Sequence, residues 1–177
     1  MTTSKRLISA ACFFGLVSLQ AAIGQLPGPG PEHERLKEAE GKWDFVLKTS
    51  DGSESKGVAV NKLECGCLWL VGDFRTDLGG APFQGKGLDG YDPIKKKYVS
   101  VWVDSFSTAP MIFEGNYDDS GKILEMKSDA LGPNGKPAKW RSVTKIVSPD
   151  EHTFEMLLKP DGSAEQSMMV VTYRRAK

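Results

Sequence analysis

From Gly41 to Arg175 the chain repeats one unit: a short run of alternating apolar and polar residues, followed by a turn. Trp43, Phe45 and Leu47 alternate with Asp44 and Lys48 before a turn at Asp51-Gly52. Further runs follow at Ser55–Leu63, Leu68–Asp77, Phe83–Asp89, Lys97–Asp104, Met111–Tyr117, Ile123–Ser128, Lys139–Ile146, Thr153–Lys159 and Gln166–Arg175. The breaks carry residues that favour tight reversals, among them Gly79-Gly80, Asp92-Pro93, Asp118-Asp119-Ser120-Gly121, Pro133-Asn134-Gly135 and Pro160-Asp161-Gly162. About ten strands at hairpin spacing leave no room for crossover connections. An open meander of that length would expose two long edges, and closing it removes them. The chain is therefore expected to be all-β, a closed up-and-down antiparallel barrel forming one domain over residues 33–177. Its interior is either filled by side chains or lines a small-ligand cavity.

The first forty residues follow other rules. Lys5 and Arg6 precede the apolar stretch Leu7–Leu19, and Ala22-Ile23-Gly24 supplies small residues for cleavage. This is the pattern of a secretory signal peptide over residues 1–24, with a mature start near Gln25 and a secreted or periplasmic destination. A lipid-modified Cys12 or an uncleaved anchor are the alternatives. The apolar stretch is too short to span a bilayer, and no later segment is apolar enough to do so. Residues 25–32 form a Pro/Gly-rich leader. Glu32–Glu40 then reads as a short N-terminal helix with Leu36 and Ala39 on its buried edge, ended by Gly41. Lys+Arg and Asp+Glu both number 23, a balance that argues against a nucleic-acid partner.

Few residues point to chemistry. Cys65 and Cys67 are separated by Gly66 alone. A disulfide across one residue closes a small strained ring, so the readings are an oxidised pair, a soft-metal or redox pair, or a tight turn with two thiols. His33 and His152 have no partner at ligand spacing, so no metal and no cofactor are expected. The segment Phe83–Gly90 is glycine-rich but runs from strand to strand, unlike a phosphate loop, and reads as a place of close backbone approach. Tyr91, Asp92 and Pro93 read as a hairpin turn with Tyr91 over a barrel end. Trp102 and Asp104 share one face of a strand whose other face is Val99, Val101 and Val103. If that face looks inward, a carboxylate beside an indole makes a polar anchor in an apolar pocket. Otherwise Asp104 and Ser105 end the strand and cap local backbone N–H groups. Met126, Met156, Met168 and Met169 are core fillers or an adaptable lining.

A short helix followed by Gly41-Lys42-Trp43 resembles the calycin superfamily of lipocalins and fatty-acid-binding-like barrels. That resemblance implies that Trp43 plugs one barrel end under an arginine from the last strand, Arg175, with Arg174 the alternate. Such a stack is worth roughly 0.5–2 kcal/mol. The stretches His33-Glu34-x-Leu36, Phe83-x-Gly85-x-Gly87-x-x-Gly90-Tyr91-Asp92, Trp102-x-Asp104-Ser105 and Tyr173-x-Arg175 further resemble a bacterial family known only as a domain of unknown function. It implies a lipocalin-like barrel and no activity, and the Cys65-Gly66-Cys67 segment departs from it. Barrels resembling nitrobindin hold haem through a histidine, for which His152 would be the axial candidate. The reading taken forward is a barrel binding a small hydrophobic or amphipathic ligand, with Trp102, Asp104, Tyr91 and Tyr117 as ligand-binding candidates. The alternatives are an enzyme using Asp104 as base with Tyr91 or Tyr117 as proton donor, and a filled barrel acting as a structural or protein-binding module.

Overall fold

The computed structural model describes residues 28–160 and 162–177. The expected signal peptide and the first residues of the Pro/Gly leader lie outside them. One helix, α1 (Pro31–Glu38), precedes ten strands: β1 (Gly41–Thr49), β2 (Glu54–Glu64), β3 (Trp69–Leu78), β4 (Ala81–Asp92), β5 (Lys97–Asp104), β6 (Met111–Tyr117), β7 (Ile123–Leu131), β8 (Pro137–Ser148), β9 (Glu151–Pro160) and β10 (Gln166–Arg175). Each strand pairs antiparallel with the next, and β10 returns to β1, so the sheet closes as the alternation requires.

The β1–β10 register, Trp43 opposite Arg175 and Phe45 opposite Tyr173, fixes which residues look inward. Following the partners around the barrel, Ala59, Phe74, Gly85, Asp104, Met111, Met126, Phe154 and Val171 all fall on the lumen side. Trp102 and Asp104 therefore face the interior, and Val99, Val101 and Val103 face out. Outside, Val71, Leu88, Val101 and Ile112 lie opposite one another across four strands. Both faces of β5 carry apolar residues, so composition alone could not choose between them.

One end of the barrel is plugged. Gly30 precedes Pro31 at the first helical position, where the missing N–H costs nothing, and the Gly30 backbone N–H donates to His33 Nδ1 at 2.9 Å. Leu36 drops from α1 into a cluster with Leu70, Tyr98, Phe113, Met126 and Met156. Trp43 Nε1 and Asn61 Nδ2 both donate to the Ala39 carbonyl at 3.0 Å, tying the helix end to β1 and β2. A second cluster of Trp43, Phe45, Leu47, Ala59 and Val171 fills the wall where the barrel closes. The opposite end, ringed by the β1–β2, β3–β4, β5–β6 and β7–β8 turns, carries no plug among the described residues.

Candidate functional site

Several inward side chains keep part of their exposure. Phe74, Phe83, Asp89, Ser100, Trp102, Asp104, Thr144, Phe154 and Tyr173 all point inward yet remain only half-buried. In a filled core such side chains lose nearly all contact with solvent. Here they keep some of it.

At that end the β5 pair is built as a unit. Trp102 Nε1 donates to Asp104 Oδ2 at 2.8 Å, and Asp104 Oδ1 accepts the Phe106 backbone N–H at 2.8 Å. Asp104 thus caps the turn at the strand end, and the same carboxylate, facing inward, accepts from the indole beside it. Space for that indole comes from β4. A Cβ on Gly85, which pairs with Asp104, would sit 2.3 Å from Trp102 Cζ2, so only glycine fits against that ring. Phe74 meets Trp102 edge-on at 4.9 Å, and Phe83 lies parallel to it at 6.5 Å. Gly85 is thus a seat for a ring, where close approach of backbone was expected. Gly90 does the same on the outside, beneath Trp69.

Tyr91 and Tyr117 also face the lumen, but at the plugged end. They flank Tyr98 at 5.3 and 5.1 Å between ring centroids, and Arg35 of α1 lies over Tyr117. Tyr98 Oη donates to the Glu32 carbonyl at 3.1 Å. Six residues of extended chain, roughly 20 Å, separate Tyr98 from Asp104. The four ligand-binding candidates are therefore two pairs at opposite ends of one lumen. A base at Asp104 cannot share a reacting atom with a proton donor at Tyr91 or Tyr117. Burial also pushes the Tyr117 phenol up to about 12.

Arg175 lies over the Trp43 ring, 4.2 Å from its centroid. Its guanidinium donates to the carbonyls of Glu40, Glu38 and Pro149 and to Asp150 Oδ1, at 2.8–3.1 Å. Arg174 points outward to Glu151. His152 is held between Trp43, 4.5 Å away edge-on, and Tyr173, stacked at 4.6 Å. Burial, helped by the nearby Arg175 charge, pulls its imidazole down to about 4, so it is neutral near pH 7. With aromatic rings on both sides, it packs the barrel end. Cys65 and Cys67 are free and exposed on the β2–β3 hairpin, not bridged. Among the described residues no cluster of His, Cys, Asp and Glu could hold a metal ion.

One residue was missed. Asp89 faces the lumen on β4, opposite Leu70 and Ser100. Desolvation inside the barrel pushes its carboxyl up to about 6, against the Ser100 hydroxyl, which favours the charged form. Asp89 reads as a surface residue in a glycine-rich run. The signal was available in its two-residue alternation with Gly85, Gly87 and Tyr91, once the face of Trp102 was settled. At the plugged end a groove of about 500 Å³ beside α1, lined by Arg35, Tyr91, Tyr98, Tyr117 and Asp118 among others, opens broadly to solvent, and it brings two of the candidate residues, Tyr91 and Tyr117, together.

A family model described as "Protein of unknown function (DUF1579)" matches residues 28–175. The chain belongs to this family. The DUF1579 match spans the helix, all ten strands and both ends of the lumen. The barrel is similar to the crystal structure of Rv2717c from M. tuberculosis, with 17% identity, a TM-score of 0.61, and coverage of 84% of this chain and 99% of that one. It is also similar to the S-type phycobiliprotein lyase CPES from Guillardia theta, with 9% identity, a TM-score of 0.58, and coverage of 82% and 93%. At such identities the likeness is one of fold. No curated protein matches the sequence.

Proposed function

We propose that this DUF1579 barrel binds a small hydrophobic or amphipathic molecule in its lumen, and that it does so as a secreted or periplasmic protein after cleavage near Gly24. The observation that carries the reading is the half-buried ring of inward aromatic side chains around two carboxylates. An apolar wall with a few placed polar groups is the usual make-up of a ligand cavity. The signal-like N-terminus supports the location. Trp102 and Asp104 would meet a ligand entering from the open end, while Tyr91, Tyr98 and Tyr117 form the floor beneath α1.

The test is native mass spectrometry of protein purified without denaturation from an exporting host, beside solvent extraction of the same sample. A stoichiometric small molecule is expected, on a chain starting near Gln25. A clean apo mass, together with a crystal structure in which side chains fill the lumen, would overturn the binding reading. It would move the weight to a structural or protein-binding barrel.

A further inference from the structure

α1 lies across the plugged end and leaves the groove of about 500 Å³ along one side. Its borders are Arg35 of α1, Tyr91 on β4, Lys96 in the β4–β5 turn, Tyr117 on β6, and the β6–β7 turn from Asp118 to Gly121. Arg35 is laid down there in a fixed pose. Its guanidinium carbon stands 5.4 Å from the centroid of the Tyr117 ring. A Cβ on Gly121 would collide with its Nη2, so the glycine leaves the guanidinium its place. A ring beneath and a bare glycine beside it position the planar group without engaging its N–H donors. Among the described residues only Glu38 pairs with it, Oε2 standing 3.7 Å from Nη1, too far for a hydrogen bond.

Other donors at the groove are open as well. Lys96 enters no ion pair among the described residues, although Lys95 and Lys97 on either side of it both reach Glu114. Neither the Tyr91 nor the Tyr117 hydroxyl has a hydrogen-bond partner among the described residues. No buried side-chain oxygen there lacks a partner, so both hydroxyls touch solvent. Tyr98 between them is different, its hydroxyl donating to the Glu32 carbonyl. The carboxylates of the groove are mostly committed. Asp118 accepts the Ser120 hydroxyl and the N–H groups of Lys122 and Ile123, at 2.8–3.2 Å. Glu32 Oε2 lies beside Gly30, at the start of α1. Asp119 is exposed on the turn. One guanidinium, one ammonium and two phenols thus stand open against Asp119 and the distant Glu38.

A guanidinium held flat with its N–H groups open is a fork that fits two oxygens of one carboxylate or phosphate. We propose that the groove beside α1 is a second ligand site, which takes the carboxylate or phosphate group of a small anionic molecule. Arg35 is its fork, Lys96 the second positive charge, and the Tyr91 and Tyr117 hydroxyls are neutral donors. The volume is that of a small-molecule site and exceeds what a bare ion needs. Glu38 competes with the ligand for the same guanidinium, so its charge holds the affinity down. The site lies on the helix side of the barrel and does not depend on the lumen binding anything.

The experiment titrates phenyl phosphate and benzoate, with benzamide as the uncharged control, into the isotope-labelled protein at low salt, following backbone amide shifts and heat. At least one anion is expected to bind about tenfold or more tighter than benzamide, shifting the amides of Arg35, Ser120 and Gly121. The tighter of the two anions names the head group. Arg35→Gln should abolish the preference, and Arg35→Lys, which keeps the charge and loses the fork, should weaken the anion about fivefold. Glu38→Gln should strengthen it about two- to threefold, a gain that loosening of the helix would not give. Raising NaCl from about 50 to 500 mM should weaken it. Equal binding of benzamide, a preference that survives in Arg35→Gln, or shifts confined to Ser100 and Trp102 in the lumen would overturn the inference. So would binding of neither anion at about 10 mM, a result that leaves the lumen reading to its own test by native mass spectrometry.

Discussion

Two glycines of the barrel show how one residue type can carry opposite meanings. Gly41 opens β1 at φ +122°, and a Cβ there would come 2.8 Å from Arg175 Nη1. Gly41→Ala is expected to cost about 2–3 kcal/mol, from backbone strain together with displacement of the arginine. A urea melt of the variant beside the wild type checks it. Gly87 has ordinary backbone angles, and a Cβ there would meet nothing closer than 3.8 Å, so it should accept alanine with little change in the same melt. The pattern Gly-x-Trp made the first legible before any coordinates. The second read only as close backbone approach, because its meaning depends on Phe74, Trp102 and Asp89 arriving from three strands. Asp89 escaped notice for the same reason: an aspartate in a glycine-rich run looks like a turn or surface residue until pairing with β5 places it opposite Ser100.

The strands themselves were readable almost to their ends, since period-two alternation and turn residues are both local signals. What local signals could not supply was the inward face of β5, where valines on one side compete with Trp102 on the other. The β2–β3 hairpin is a different case. Cys65, Gly66 and Cys67 have φ of 52°, 72° and 65°, three successive left-handed residues. Cysteine bears a steric cost in that region which glycine does not. Cys67→Gly should therefore stabilise the protein by about 0.5–1 kcal/mol, measured as an upward shift of the urea midpoint. Both thiols of the native protein should also react with a maleimide, giving a double mass increment; no increment would mean that the pair is oxidised.

For the molecule as a whole, two lumen groups pull stability in opposite directions over one pH range. Asp89 has its folded pKa raised to about 6. The folded state therefore holds the proton more tightly than the unfolded chain, and Asp89 favours folding as pH falls from about 6 to 4. His152 has its folded pKa lowered to about 4. The unfolded chain takes up that proton first, so His152 disfavours folding as pH falls from about 6.5 to 4. Each contribution is at most ~3 kcal/mol, and in the wild type they largely cancel. Asp89→Asn should reveal a steep acid loss of stability, and His152→Gln a gain, in denaturant melts at pH 7 and pH 4.5. Identical slopes in the two variants would contradict the assignment. The barrel seam carries a consequence for the order of folding. Arg175 joins the last strand to the helix end at Glu40, 135 residues away in the chain, and β1 finds its second partner only in β10. Nine hairpins can form as their residues become available, but the ring shuts, and α1 is pinned over its end, only when the final few residues are present. A chain shortened by four residues would hold nearly every strand and still lack its clasp.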